Sequence, residues 1–153
     1  MYFDGRRASR WPHPEAIRHY FFPKSGNAWF STGGNDSGGF SIEGVEGTEH
    51  LEQGLGRVTI SLNMVGHPAH GVQLNWARLG PPQRTDYYAL HDPARLNQYV
   101  NSMHGDPQPI GLYVPFAEAW KAVEDFLTNE GERSKRIAWA AASELPPDAF
   151  PAP

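Results

Sequence analysis

His67-Pro-Ala-His70 holds the closest-spaced pair of histidines in the chain, and so a possible pair of metal ligands. Two imidazoles three positions apart can share a zinc ion if a turn folds them together, but zinc needs at least a third protein ligand. No His-Glu-x-x-His helix and no carboxylate companion stands nearby, so the pair reads more simply as two histidines in an exposed hairpin loop. Seven histidines offer general bases in principle. No nucleophile elbow and no Ser/His/Asp arrangement accompanies them. The glycine-rich stretch "STGGNDSGGF" lacks the Gly-x-x-x-x-Gly-Lys-Ser/Thr pattern of a phosphate cradle, and its Asp36 would repel a phosphate. It reads as a turn-rich loop. The acids Glu43, Glu46 and Glu49 lie close in sequence, yet nothing marks one as a proton donor, so a glycosidase-like pair is not supported. The expectation is a chain with no catalytic residue, no cofactor and no metal.

What the chain does carry is an uneven charge. Net charge is −4, against the basic surplus usual in nucleic-acid binders, so no direct nucleic-acid contact is expected. Between Asn35 and Gly56 lie five acids, Asp36, Glu43, Glu46, Glu49 and Glu52, with no Lys or Arg. Such a block is either a solvated loop or a surface that steers a basic partner by long-range attraction. Tyr87 and Tyr88 are adjacent on a strand-like stretch and must point to opposite faces, one of them partly exposed near Asp86. Tyrosine in partly exposed positions suits a protein-binding surface.

The elements that would position these groups are legible from periodicity. In "GRVTISLNMV", Val58, Ile60, Leu62 and Met64 alternate with polar residues, and "VQLNWARLG" alternates likewise. With "GHPAHG" between them, the two form an antiparallel hairpin with one wet face. "FSIEGV" and "RTDYYALH" are further strands, and "NAWFST" reads as a short one. "HPEAIRHYFF" gives a short helix with Pro14 at its first position and Ile17, Tyr20 and Phe21 on one stripe. "DPARLNQYVNSM" gives another, capped by Asp92. After Pro115, the residues Phe116, Ala119, Trp120, Val123, Phe126 and Leu127 complete a full helical stripe, and Gly131 is the natural stop. Lys135 to Ala142 resumes as a strand, with Ile137 and Trp139 on one side. Trp76 and Trp139 are expected in the core.

The sum is an α+β domain over residues 1–143: a mainly antiparallel sheet packed on one face by a helix at about 115–130, with one or two shorter helices. Residues 144–153, "ELPPDAFPAP", form a proline-rich tail expected to be extended or disordered. No apolar run is long enough for a transmembrane helix, the N-terminus lacks a secretory core, and cysteine is absent, which excludes disulfides and thiolate centres. A cytoplasmic protein with no membrane contact is the simplest expectation.

The segment "LYVPFAEAWKAVEDFLTNEGERSKRIAW", Leu112 to Trp139, resembles the C-terminal signature of immunity protein family 1 of bacterial polymorphic toxin systems. Val114-Pro115 matches its strand-to-helix junction. Val123, Phe126 and Leu127 match the helix end, and Arg133 to Trp139 the basic turn and strand. Members often carry Arg-Pro in the turn, where this chain has "GERSKR". The resemblance implies a cytosolic antitoxin that binds a cognate toxin domain, often a zinc-dependent nucleic-acid deaminase, and blocks its active site or substrate groove. It implies no cofactor and no chemistry in the chain itself. The signature residues, Val114, Pro115, Phe116, Trp120, Val123, Phe126, Leu127, Ile137 and Trp139, are then buried scaffold. The toxin-binding surface would lie at Asp36, Glu43, Glu46, Glu49, Glu52, Asp86, Tyr87 and Tyr88. A ligand-binding or adaptor module, and a small hydrolase using His67 and His70, are the other readings open to this sequence.

Overall fold

Strict apolar/polar alternation forces an extended segment to bury one face and wet the other. The computed structural model describes residues 2–3, 6–7, 12–22, 29, 36–52 and 55–151. Its strands are β1 (Tyr2–Phe3), β2 (Arg6–Arg7), β3 (Ser37–Val45), β4 (Val58–His67), β5 (Gly71–Leu79), β6 (Thr85–Ala89), β7 (Tyr99–Asn101), β8 (Pro107–Pro109), β9 (Tyr113–Val114) and β10 (Trp139–Ala141). The expected hairpin is β4–β5, in register from Thr59↔Leu79 to His67↔Gly71. All pairings are antiparallel, in the order β10-β6-β5-β4-β3-β1-β2, and β9 pairs with β5 beyond the end of β6. β7 and β8 form a separate small ribbon.

The helical stripe becomes α1 (Phe116–Thr128), which buries Ala119, Trp120, Ala122, Val123, Phe126 and Leu127. It packs with Phe40, Ile60, Leu62, Met64, Val72 and Leu74, the inward positions of β3, β4 and β5. Fully burying one such side chain is worth roughly 1.5–3 kcal/mol. An exposed ion pair contributes about 1 kcal/mol or less, so the stripe, not surface charge, anchors the helix. Pro115 is the exception to the expected core: it is exposed. As the residue just before α1 it has extended backbone, and its carbonyl accepts from the Glu118 and Ala119 N–H groups, both at 2.9 Å. Phe116, Ile137 and Trp139 are half-buried at the core's margin, and Val114 is inside. The helix stops where Gly131, at φ +85°, turns back to donate to the Phe126 carbonyl at 2.9 Å.

The two expected shorter helices are 3-10 turns rather than α-helices, two in succession for the first and one for the second. Pro14–Ala16 and Arg18–Tyr20 bring Ile17 and Phe21 into the core, and Asp92 caps Pro93–Arg95 by accepting from the Ala94 N–H. Trp29 is buried edge-on to Phe21, and a Cβ on Gly66 would collide with its indole at 2.3 Å. That close approach explains a glycine inside β4. The strand expected at "NAWFST" lies outside the described residues except for Trp29, as do Gly33 to Asn35 of the glycine-rich loop. Gly38 and Gly39 belong to β3 instead of a turn. The tail is ordered through Pro151: Ala149 is buried, Phe150 packs 5.0 Å from Tyr88, and the Tyr99 hydroxyl donates to the Asp148 carbonyl.

Candidate functional site

The acidic stretch occupies one end of the sheet. β3 breaks register with β4 between Glu43 and Val45, and such a bulge re-aims the side chains beside it. Glu43, Glu49 and Glu52 are exposed and form no ion pair among the described residues. Between the last two and β4 stands Leu55, at 68% the most exposed large apolar side chain described. Leu79, 37% exposed, lies in the same cross-strand row as Glu43, through Thr59.

The other expected surface residues are already engaged. Asp36 is 1% exposed and accepts from the Met103 N–H at 2.7 Å, so its carboxylate is used inside the fold and displays nothing. Glu46 is gripped by Arg78, whose Nε donates to Oε1 at 2.9 Å and whose Nη2 donates to Oε2. That bidentate bond, against a small burial effect, holds the Glu46 carboxyl below its ordinary value. Arg78 also donates to the Gly80, Pro81 and Gln83 carbonyls, which ties the acidic loop to the β5–β6 turn. Asp86 is paired with Arg84. Tyr87 and Tyr88 do point to opposite faces, and both are half-buried. Burial, reinforced by the Asp86 charge, raises the Tyr88 hydroxyl.

Beside the acidic end lies an open cleft of about 720 Å³ that the sequence reading missed. Its walls include Trp76, Tyr87 and Trp139, with Arg133 and Lys135 on the turn that follows α1. The turn is fastened from both sides. Trp76 Nε1 donates to the Gly131 carbonyl at 2.8 Å, and Trp139 Nε1 donates to the Ser134 carbonyl at 2.9 Å. Arg136 donates from Nε and Nη2 to Asp125, and from Nη2 also to Glu124 and the Lys121 carbonyl. Ser134 Oγ donates to Asp125 at 2.6 Å. Burial pushes the Asp125 carboxyl up, and the Arg136 and Ser134 bonds more than reverse it, leaving it below the ordinary value. With Arg136 so engaged, the remaining cations of the turn face the cleft. Arg133 stacks 3.5 Å over Tyr87, and neither it nor Lys135 has a carboxylate partner among the described residues. The only signal in the sequence was the basic run itself.

At the far end of the sheet, the His67 and His70 rings stack 4.7 Å apart, half-buried rather than exposed. Burial, then the neighbouring His70, lowers the His67 imidazole. The Ala69 N–H donates to His67 Nδ1 at 3.2 Å, which occupies that nitrogen's single in-plane lone pair and makes Nε2 the N–H of the neutral ring. No group of three His, Cys, Asp or Glu side chains that could hold a metal ion exists among the described residues. Tyr113, 6.2 Å from each ring, is buried, and that burial raises its hydroxyl. No helix among the described residues is long and apolar enough to cross a membrane.

Comparison of the chain with family models, with curated proteins and with solved structures returns no match.

Proposed function

We propose that this protein is a cytoplasmic immunity protein that binds a cognate toxin domain and blocks its active site or substrate groove. The observations that support the reading are the exposed carboxylates Glu43, Glu49 and Glu52, which form no ion pair among the described residues, and the exposed Leu55 three positions after Glu52. An apolar centre within a charged margin is the anatomy of a protein-binding patch. A toxin domain that acts on nucleic acid must display a basic groove, which this margin complements. The likeness of Leu112–Trp139 to immunity protein family 1 supports the same reading, and a nucleic-acid deaminase is the toxin class it suggests.

The test is to mix the purified chain with the toxic C-terminal domain encoded by the adjacent gene and follow complex formation by size exclusion at two salt concentrations. A stable complex is expected, formed more slowly at high salt and by the triple variant Glu43→Lys, Glu49→Lys, Glu52→Lys. A complex whose association is unchanged in both cases would move the interface elsewhere. Absence of any complex would remove that toxin as the partner. A second reading, a small-ligand-binding module, is favoured by one observation: the cleft's volume falls within the roughly 300–1,000 Å³ of ligand sites.

A further inference from the structure

The cleft and the acidic loop are neighbours of opposite sign. Thr85, in the cleft wall, pairs across the sheet with Arg78, and Arg78 grips Glu46 at the start of the loop. Arg133 and Lys135 stand on the cleft side of that pair, whereas Glu43, in the row of Thr59 and Leu79, points to the other face of the sheet. The cleft's own acid, Glu144, accepts the Ala141 N–H at 2.8 Å and forms no ion pair with Arg133 or Lys135. Tryptophan, tyrosine and arginine together are the residue types that dominate binding energy at protein interfaces. Both indole N–H groups are already bonded to backbone carbonyls, so the aromatic walls are held in place before any partner arrives.

We infer that the cleft receives an acidic segment of the protein partner, with Arg133 and Lys135 meeting its carboxylates between the Trp76 and Trp139 walls. The inference rests on the immunity reading and extends it: the partner presents an acidic segment as well as a basic patch.

The test uses the full chain, ¹⁵N-labelled, and reads the two indole N–H signals of Trp76 and Trp139. The probes are the peptide Glu-Glu-Tyr-Glu-Glu with blocked ends, its Lys-for-Glu counterpart, and adenosine monophosphate. The acidic peptide should shift both indoles, the basic peptide neither, and the double variant Arg133→Glu, Lys135→Glu should not respond. In parallel, that variant should bind the toxin domain at least about tenfold more weakly than the natural chain, at an unchanged melting temperature. Indoles that respond to the nucleotide but not to the acidic peptide would make the cleft a nucleotide site and overturn the inference. So would a double variant that behaves as the natural chain. If the natural chain forms no toxin complex yet the peptide binds, that toxin is removed as the partner and the cleft stands. A toxin complex of undiminished affinity in the double variant sinks the cleft and leaves the immunity reading intact.

Discussion

The loop from Glu46 to Gly56 and the turn from Gly131 to Trp139 flank the same end of the sheet, yet they are built in opposite ways. The turn is bolted down: Arg136 reaches two helix carboxylates and a helix carbonyl, and two indoles hold its backbone. The loop has fewer ties. Arg78 fixes Glu46, and Thr48 Oγ1 both donates to the Val45 carbonyl and accepts from the Val58 N–H. Its other carboxylates stay free. A rigid aromatic wall beside a charged, lightly tethered loop divides recognition between them: the wall resists dissociation, and the loop speeds encounter.

Four substitutions would break or sharpen that contrast. Phe126→Ala opens a cavity under the turn, where the ring is 1% exposed and 6.2 Å from Phe40. It should cost about 3–5 kcal/mol in urea unfolding. Gly131→Ala imposes a side chain at φ +85° and 3.2 Å from Ile42 Cδ1, for about 1–2 kcal/mol by thermal unfolding. Asp125→Ala removes the acceptor that Ser134 and Arg136 share, leaves Arg136 with Glu124 and the Lys121 carbonyl, and should cost about 1 kcal/mol, with a change in Trp139 environment seen by NMR. Because the folded Asp125 carboxyl lies below its unfolded value, its contribution is complete above about pH 4 and is lost as pH falls through the folded value. The Asp125→Ala stability difference should therefore shrink on acidification. Reversing Glu43, Glu49 and Glu52 to Lys should change stability by only about 0.5 kcal/mol while slowing partner association. A loss as large as that of Asp125→Ala would show that the loop is structural after all.

Period carried the sequence reading as far as period goes. The β4–β5 hairpin and α1 were legible because alternation and a helical stripe each fix which side faces inward. Partnerships across long sequence separations were not. Asp36 looked like one more exposed acid, and only its place beside Met103 makes it a buried acceptor. Pro115 sits among core residues in sequence yet is exposed, since it stands at the helix entrance. In "GERSKR" three cations look alike. Helix phase brings Arg136 alone to Asp125 and Glu124, and leaves Arg133 and Lys135 for the cleft. The segment that reads as pure scaffold therefore supplies a wall of the open cleft.

The most direct test joins both patches in one chain. Co-expression of the adjacent gene's toxin domain with the natural protein should restore bacterial growth. The variant carrying Glu43→Lys, Glu49→Lys, Glu52→Lys, Arg133→Glu and Lys135→Glu, folded by circular dichroism, should not. Full protection by that variant would contradict the assignment of this end of the sheet as the toxin-binding surface.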